Sequence, residues 1–388
     1  MQIASREIAF GPEIPYWGLY FEAEEPNAVI NMGVSGTIFS LNIQVSLDYG
    51  RTWIQFDSNN GTTPITLASV GDRAYFRAGD KNPIYARTGG GISDPITAYH
   101  YFTLSKKCGA HGNIMSLIDG NDKYLVELPL VKTASNFGYL FRDCSNLTSA
   151  PILPATLLQP SCYAGMFRGC SSLRNAPELP STHVVNGCYK EMFYGCSKIP
   201  TAPTLRASGT ISYCYSSMFE GCSSLVEAPT LSATTISQYA YQAMFRHCTS
   251  LQHAPELLST TTSAACYKHM FYGCRSLEQP PTILPATSLE TDCYYNMFNG
   301  CTSIVESPKI LAPSPNGTNC CVNMFYGCSS LRKIDVAFTK WDNIYSTSPV
   351  LNWVDGVSST GTFKCPSSLD TTNRGPSGCP ENWEVVAV

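Results

Sequence analysis

The dipeptide Met-Phe recurs at Met166, Met192, Met218, Met244, Met270, Met297 and Met324, at steps of 26, 26, 26, 26, 27 and 27 residues. A period of that size means a stack of supersecondary units, because one such unit has a hydrophobic face and nothing of its own to bury it against. Leu140-Phe141 fills the same slot one step earlier, and Trp353-Val354 marks a degenerate last copy. Eight clear repeats over about 130–337, followed by a closing unit, are therefore expected.

Each copy reads close to Cys-Tyr-x-x-Met-Phe-x-Gly-Cys-Ser-Ser-Leu-x-x-Ala-Pro-x-Leu. In the second copy Cys162, Tyr163, Met166, Phe167 and Cys170 fall at i, i+1, i+4, i+5 and i+8, which predicts one face of a short helix. Gly169 supplies the left-handed stop. Leu173, Ala176 and Leu179 follow in an extended stretch, where Pro177 keeps any strand short. The expected fold is an α/β repeat solenoid, leucine-rich-repeat-like, with one short helix and one short strand per 26–27-residue repeat. The solenoid is placed at 111–337, with the degenerate repeat and a C-terminal cap at 338–388. Its expected core is the column Phe167, Phe193, Phe219, Phe245, Phe271, Phe298 and Phe325, with Cys170, Cys196 and Cys222 beside it.

The chain has 18 Cys. Most fall into two columns in register with the repeat. One runs Cys144, Cys170, Cys196, Cys222, Cys248, Cys274, Cys301, Cys328. The other runs Cys162, Cys188, Cys214, Cys266, Cys293, Cys320, with Ala240 in the gap. An alanine in the column points to a small buried apolar site, so stacked free thiols are expected. Disulfides within the array are the alternative. A rung-by-rung column does not converge four ligands on a point, so neither metal nor cofactor is expected. Cys365 and Cys379 lie outside the columns and could pair with each other.

Ahead of the repeats, residues 1–17 read as an irregular arm. Its apolar Ile8, Phe10, Ile14, Tyr16 and Trp17 have no partner within that stretch. Residues 18–110 alternate in short runs such as Ile43-Gln44-Val45-Ser46-Leu47, which predicts a small all-β, Ig-like sandwich. Gly89-Gly90-Gly91 marks a loop near its end. Ser46-Leu47-Asp48-Tyr49-Gly50-Arg51-Thr52-Trp53 fits the Asp-box pattern of sialidase propellers. Those repeat the box once per blade, whereas one copy stands here, so the reading is a hairpin turn: Asp48 bonds backbone N–H groups and Gly50 takes a positive φ.

Other chemistry is sparse. Charged residues make up 14% with a net charge of -4 and no basic stripe, which argues against nucleic acid. No apolar run approaches the roughly 20 residues of a membrane span. The N-terminus shows no secretory signal pattern, which leaves a protein not exported by that route or one whose signal was replaced. The six His (His100, His111, His183, His247, His253, His269) form no metal-ligand spacing, and no nucleophile, phosphate-loop or paired-carboxylate motif stands out. A non-enzymatic protein is expected.

While the core slots repeat, two sets of slots drift. One flanks Ala-Pro: Asn175 and Glu178, Thr201 and Thr204, Glu227 and Thr230, His253 and Glu256, Gln279 and Thr282, Glu306 and Lys309. The other follows the Phe: Arg168, Tyr194, Glu220, Arg246, Tyr272, Asn299, Tyr326. Both are expected to face solvent, so Phe219→Ala should destabilise and Glu220→Ala should do little. Drifting surface slots are ordinary on any repeat protein. Tyr and Arg among them also suit a binding face, and Arg168, Tyr194, Arg246, Tyr272, Tyr326, Asn175, Glu178, Glu227, His253 and Glu256 are its candidates.

Met-Phe-Tyr-Gly-Cys-Ser-Ser-Leu (324–331), Ala-Pro-Glu-Leu-Pro (176–180) and the closing Gly361-Thr362-Phe363-Lys364-Cys365-Pro366 resemble the BspA-type leucine-rich-repeat family. Gly112-Asn113-Ile114-Met115-Ser116-Leu117 resembles the junction in members from gut Bacteroidales and their phages. The resemblance implies a surface protein with a role in adhesion and carries no catalytic residue across. With it, the leading expectation is a virion-surface subunit, a fibre or decoration protein. Its arm and sandwich would meet other virion or surface proteins, and its solenoid would meet a host-surface protein or glycan. A homo-trimer joined through the N-terminal part is the oligomer expected. A bacterial cell-surface adhesin with its signal removed is the alternative, and a glycan-active enzyme with a repeat appendage is the remote one.

Overall fold

The computed structural model describes residues 18–38, 41–57, 63–79, 85–88, 96–120, 134–341 and 348–388. The arm at 1–17 and Gly89-Gly90-Gly91 lie outside them.

The strands before the repeats are β1 (Tyr20–Ala23), β2 (Ala28–Ser35), β3 (Asn42–Ser46), β4 (Ile54–Asp57), β5 (Ile65–Leu67), β6 (Arg73–Ala78), β7 (Ala86–Thr88), β8 (Ile96–Leu104) and β9 (Cys108–His111). Burial alternates along β1 and β2, as the sequence period requires of strands with one buried face. A single helical turn, α1 (Ser116–Asp119), follows, then β10 (Ala134–Ser135) and β11 (Leu147–Ser149). One sheet has the order β11-β9-β1-β6-β3-β4 and the other β10-β7-β8-β2-β5. Their inner faces meet at Phe21, Phe76 and Phe102, whose ring centroids lie 5.1–5.5 Å apart.

The expected division at 110/111 does not separate two cores. β10 and β11, both from the first repeat, complete the two sheets. Phe141 stacks on Phe102 at 5.6 Å, and Tyr85 N–H and Phe102 N–H donate to the carbonyls of Asn136 and Leu140. The sandwich is thus seated on the first rung and satisfies carbonyls that the rung would otherwise expose.

The expected helix in each repeat is absent; α1 is the one helix among the described residues, and it precedes the repeats. In its place the backbone runs through successive tight turns. In the second repeat the N–H groups of Cys162, Ala164, Met166, Arg168 and Cys170 each bond the carbonyl three residues back. Those of Ser161, Tyr163, Gly165, Phe167 and Gly169 donate across to the third repeat. Every fourth residue is left-handed: Ser161 (φ 54), Gly165 (φ 57) and Gly169 (φ 76). A helix keeps all its donors to itself, so sharing half of them with the neighbour abolishes it. The expected strand shrinks as well. It survives as isolated parallel bridges such as Thr201↔Glu227↔His253↔Gln279 and as the short pairs β12 (Ile283–Leu284) with β13 (Lys309–Ile310). Prolines at Pro177, Pro203, Pro229, Pro255, Pro281 and Pro308 lack the donor that a longer ladder needs.

Side chains stack rung on rung in the same register. Phe141, Phe167, Phe193, Phe219, Phe245, Phe271, Phe298 and Phe325 form one column with centroids 5.4–5.8 Å apart and planes within 11°. A second column runs from Tyr163 to Tyr294. The far end is closed by Trp353 against Phe325, by Asn352 N–H on Ser377 Oγ, and by the parallel strands β14 (Lys333–Asp335), β15 (Thr362–Cys365) and β16 (Glu384–Ala387).

Candidate functional site

The slots flanking Ala-Pro lie along the bridged edge of the stack. Asn175, Glu178, Glu227 and Glu256 are exposed and His253 is half-buried. Each carboxylate here reaches one rung onward: Glu178 to Arg206 (3.8 Å), Glu227 to His253 (2.6 Å), Glu306 to Lys333 (2.7 Å). Glu256 accepts from the Thr282 N–H and hydroxyl. Exposed pairs of this kind contribute roughly 0–1 kcal/mol each, so this edge reads as mutually satisfied surface.

The turn side is different. Arg168 lies 4.0 Å over the Tyr194 ring and pairs with Glu191; Arg246 lies 5.2 Å over Tyr272 and pairs with Glu220 (3.4 Å). Tyr326 is 43% exposed in the last clear repeat. Glu220 departs from its expected place in solvent, being only 8% exposed. Burial raises its pKa, and a hydrogen bond from Ser217 and the Arg246 guanidinium oppose that rise.

Residues ahead of the Met-Phe pair, which a helix would have turned elsewhere, join this side. Lys190 lies over Tyr213 (5.7 Å), and Tyr213 stacks on Tyr239 (4.7 Å). Lys268 lies over Tyr295 (4.7 Å) and pairs with Asp292 (3.0 Å). His269 meets the edges of Tyr272 and Tyr295 at 5.6 and 5.5 Å. Burial, then Lys268 and Arg246, hold its pKa down at about 4, so it is neutral at physiological pH. The available signal was the drift of these slots, which alternate among Tyr, Lys, Glu and His just as the slot after the Phe does.

Against known protein families, residues 137–278 and 233–348 match the BspA-type leucine-rich-repeat region in six copies. The chain belongs to the BspA-type leucine-rich-repeat family. That membership marks it as a surface-binding, adhesin-like protein. Searches of curated proteins and of solved structures gave no match.

Three other features of this BspA-type chain bear on its chemistry. All 18 cysteines are buried and free, Cys365 and Cys379 included, so the pair allowed by sequence does not form. The thiols also do more than fill space: Cys170, Cys196, Cys222, Cys248 and Cys274 donate at 3.0–3.1 Å to the Phe carbonyl of the preceding repeat. Burial pushes Cys162 and Cys328 up to about 12, and thiols held protonated are poor nucleophiles. The Asp-box is the turn between β3 and β4. Asp48 accepts from Thr52 N–H (2.8 Å) and Thr52 Oγ1 (2.6 Å), and Tyr49 (φ 62) and Gly50 (φ 82) are the left-handed central pair of the tight turn that Arg51 N–H closes on the Asp48 carbonyl. Among the described residues no group of three His, Cys, Asp or Glu is placed to hold a metal, and no helix is long and apolar enough to cross a membrane.

Proposed function

We propose that this chain is a non-enzymatic binding protein whose stacked repeats form a solenoid that displays the turn side to a target on a host surface. The observation that carries the reading is the set of half-exposed Tyr, Arg, Lys and His side chains on the turn side, laid over one another across successive rungs. Solenoids bind along such continuous faces, and Tyr and Arg dominate binding hot spots. The edge flanking Ala-Pro, with Asn175, Glu178, Glu227, His253 and Glu256, is the lesser contributor, because its charges already satisfy one another.

The finer reading is a virion-surface subunit, a fibre or decoration protein. Its N-terminal part would attach to other virion proteins, with a homo-trimer as the assembly unit. The resemblance of the 112–117 junction to phage members supports it. Family membership equally favours a cell-surface adhesin, the second reading. Replacing Tyr194, Arg246 and Tyr272 together by Ala is expected to leave the fold and any particle incorporation intact and to weaken attachment to cells. Normal attachment by this folded variant would remove the turn side from the function. Deleting residues 1–17 is expected to abolish incorporation into particles, and normal incorporation would reverse the assignment of the N-terminal part.

A further inference from the structure

The turn-side stripe does not begin with the repeats. On the outer face of β8, Tyr101 and Tyr99 lie 5.7 Å apart, and Tyr99 meets Tyr139 of the first rung at 5.0 Å. The Arg142 guanidinium covers both Tyr99 (5.6 Å) and Tyr139 (5.0 Å). From there the contacts pass without a break in kind: Tyr139 over Gly165, Arg168 over Tyr194, Lys190 over Tyr213, Arg246 over Tyr272, Lys268 over Tyr295. At roughly 4.8 Å per rung, the span from the first rung to the seventh is about 29 Å. The sandwich and the solenoid therefore present one stripe.

Two glycines set the attitude of its first rings. A Cβ at Gly33 would lie 2.5 Å from the Tyr101 ring, and one at Gly165 would run into the Tyr139 ring. Glycine at both positions lets these rings pack directly against the backbone.

The charges define the occupant. Every cation of the stripe has a carboxylate of the same chain beside it: Arg142 with Asp143 (3.2 Å), Arg168 and Lys190 with Glu191, Arg246 with Glu220, Lys268 with Asp292. Four carboxylates serve the five cations, Glu191 facing both Arg168 and Lys190, so a polyanion would find little uncompensated charge. What remains on offer is the half-exposed rims of these tyrosine rings, flanked by adjoining N–H donors and carboxylate acceptors. That set matches a polyhydroxylated chain without charge, whose C–H groups pack against the ring rims and whose hydroxyls both donate and accept. We infer that the stripe from Tyr101 to Tyr295 binds an extended neutral polysaccharide, with the sandwich supplying the first part of the site. This rests on the binding role proposed above and narrows it to one ligand class.

The test uses the full chain in affinity electrophoresis and surface-immobilised binding. Mannan, dextran and arabinoxylan serve as neutral probes, alginate and heparin as acidic ones. Expected is retention by at least one neutral polymer that changes little between low and high salt, since a neutral ligand brings no charge to be screened. Tyr99→Ala and Tyr272→Ala should each weaken it about tenfold, the loss of one hot-spot aromatic. Tyr272→Phe should keep most of it, which separates loss of the ring from misfolding. Glu227→Ala on the bridged edge should bind as the parent does. Binding restricted to the acidic polymers and lost in salt would overturn the inference. So would an effect of Tyr272→Ala with none of Tyr99→Ala, because the stripe would then stop at the repeats. If the chain binds cells through a protease-sensitive receptor and none of the polymers, the ligand class is wrong while the binding role stands.

Discussion

Phe219→Ala tests the stacked core directly. The ring is fully buried, with Phe193 at 5.6 Å on one side and Phe245 at 5.8 Å on the other, both near parallel. Removing it forfeits about 1.5–3 kcal/mol of apolar burial and two ring pairs of about 0.5–1.5 kcal/mol each. The rungs cannot close over the gap. Phe193 N–H on Met218 O and Phe219 N–H on Met244 O, both 2.9 Å, fix their separation. A cost of about 3–5 kcal/mol is expected, as for other buried Phe truncations. Urea melts followed by circular dichroism would measure it, with Val226→Ala (36% exposed) as a control that should stay within about 0.5 kcal/mol of the parent. A Phe219→Ala midpoint that matches the control would refute the column as the source of stability.

Thiol-specific labelling should find the described columns silent in the native chain and all 18 cysteines reactive once denatured; a denatured, unreduced sample with fewer free thiols would mean disulfides. Unfolding free energy should fall as pH drops from 6.5 toward 4, because the unfolded chain takes up a proton that folded His269 refuses, with His111 and His247 adding in the same direction. His269→Gln should flatten part of that slope, and an unchanged slope would place the imidazole in solvent. Removing residues 18–110 should yield an aggregating product, since Phe141 and the carbonyls of Asn136 and Leu140 lose their cover; a soluble, folded remnant would make the sandwich a separate domain. Tyr239→Gly should stay within about 1 kcal/mol of the parent, relief of a left-handed side chain offsetting the lost Tyr213 contact, whereas Tyr239→Val should cost clearly more.

The repeat, its core slots and the thiol columns were legible because burial repeats with the period: Met, Phe, Cys and Leu sit where a stacked rung needs them. The Asp-box turn was legible because Asp and Gly each do one local job there. The spacing that suggests a helix has a different physical origin. Cys162, Met166 and Cys170 repeat at four, with nothing apolar at the intermediate i+3 and i+7 slots, which are Gly165 and Gly169. A helix advances about 100° per residue, so eight residues would carry Cys170 some 80° off the Cys162 line. A turn ribbon of period four keeps them in line. The left-handed residues that make the ribbon were hidden by identity, since the slots hold Ser161, Glu191, Tyr213, Ala243 and His269 as well as glycine. Drift between repeats points Glu220 to solvent, yet the turn ribbon buries it, and the tyrosines before Met-Phe such as Tyr213 and Tyr239 carry no signal beyond that same drift.

Those left-handed slots also bear on where function lies. Glycine fills them without strain, as Gly169, Gly195 and Gly221 do. A side chain there costs on the order of 1 kcal/mol, and bulky residues at positive φ are uncommon enough to call for a reason. Tyr139 (φ 60), Glu191 (φ 56), Tyr213 (φ 59), Tyr239 (φ 57) and His269 (φ 57) all occupy such slots, and all stand half-buried on the turn side. The stack itself does not require them, because other rungs place Gly165, Gly187 or Ala265 in the equivalent positions and carry the same cross-rung hydrogen bonds. Ring contacts such as Tyr213 on Tyr239 recover part of the strain, yet a glycine would have avoided it altogether. The fold thus carries a small, repeated cost to hold aromatic and charged groups on one side, and that is the side on which a ligand could return it.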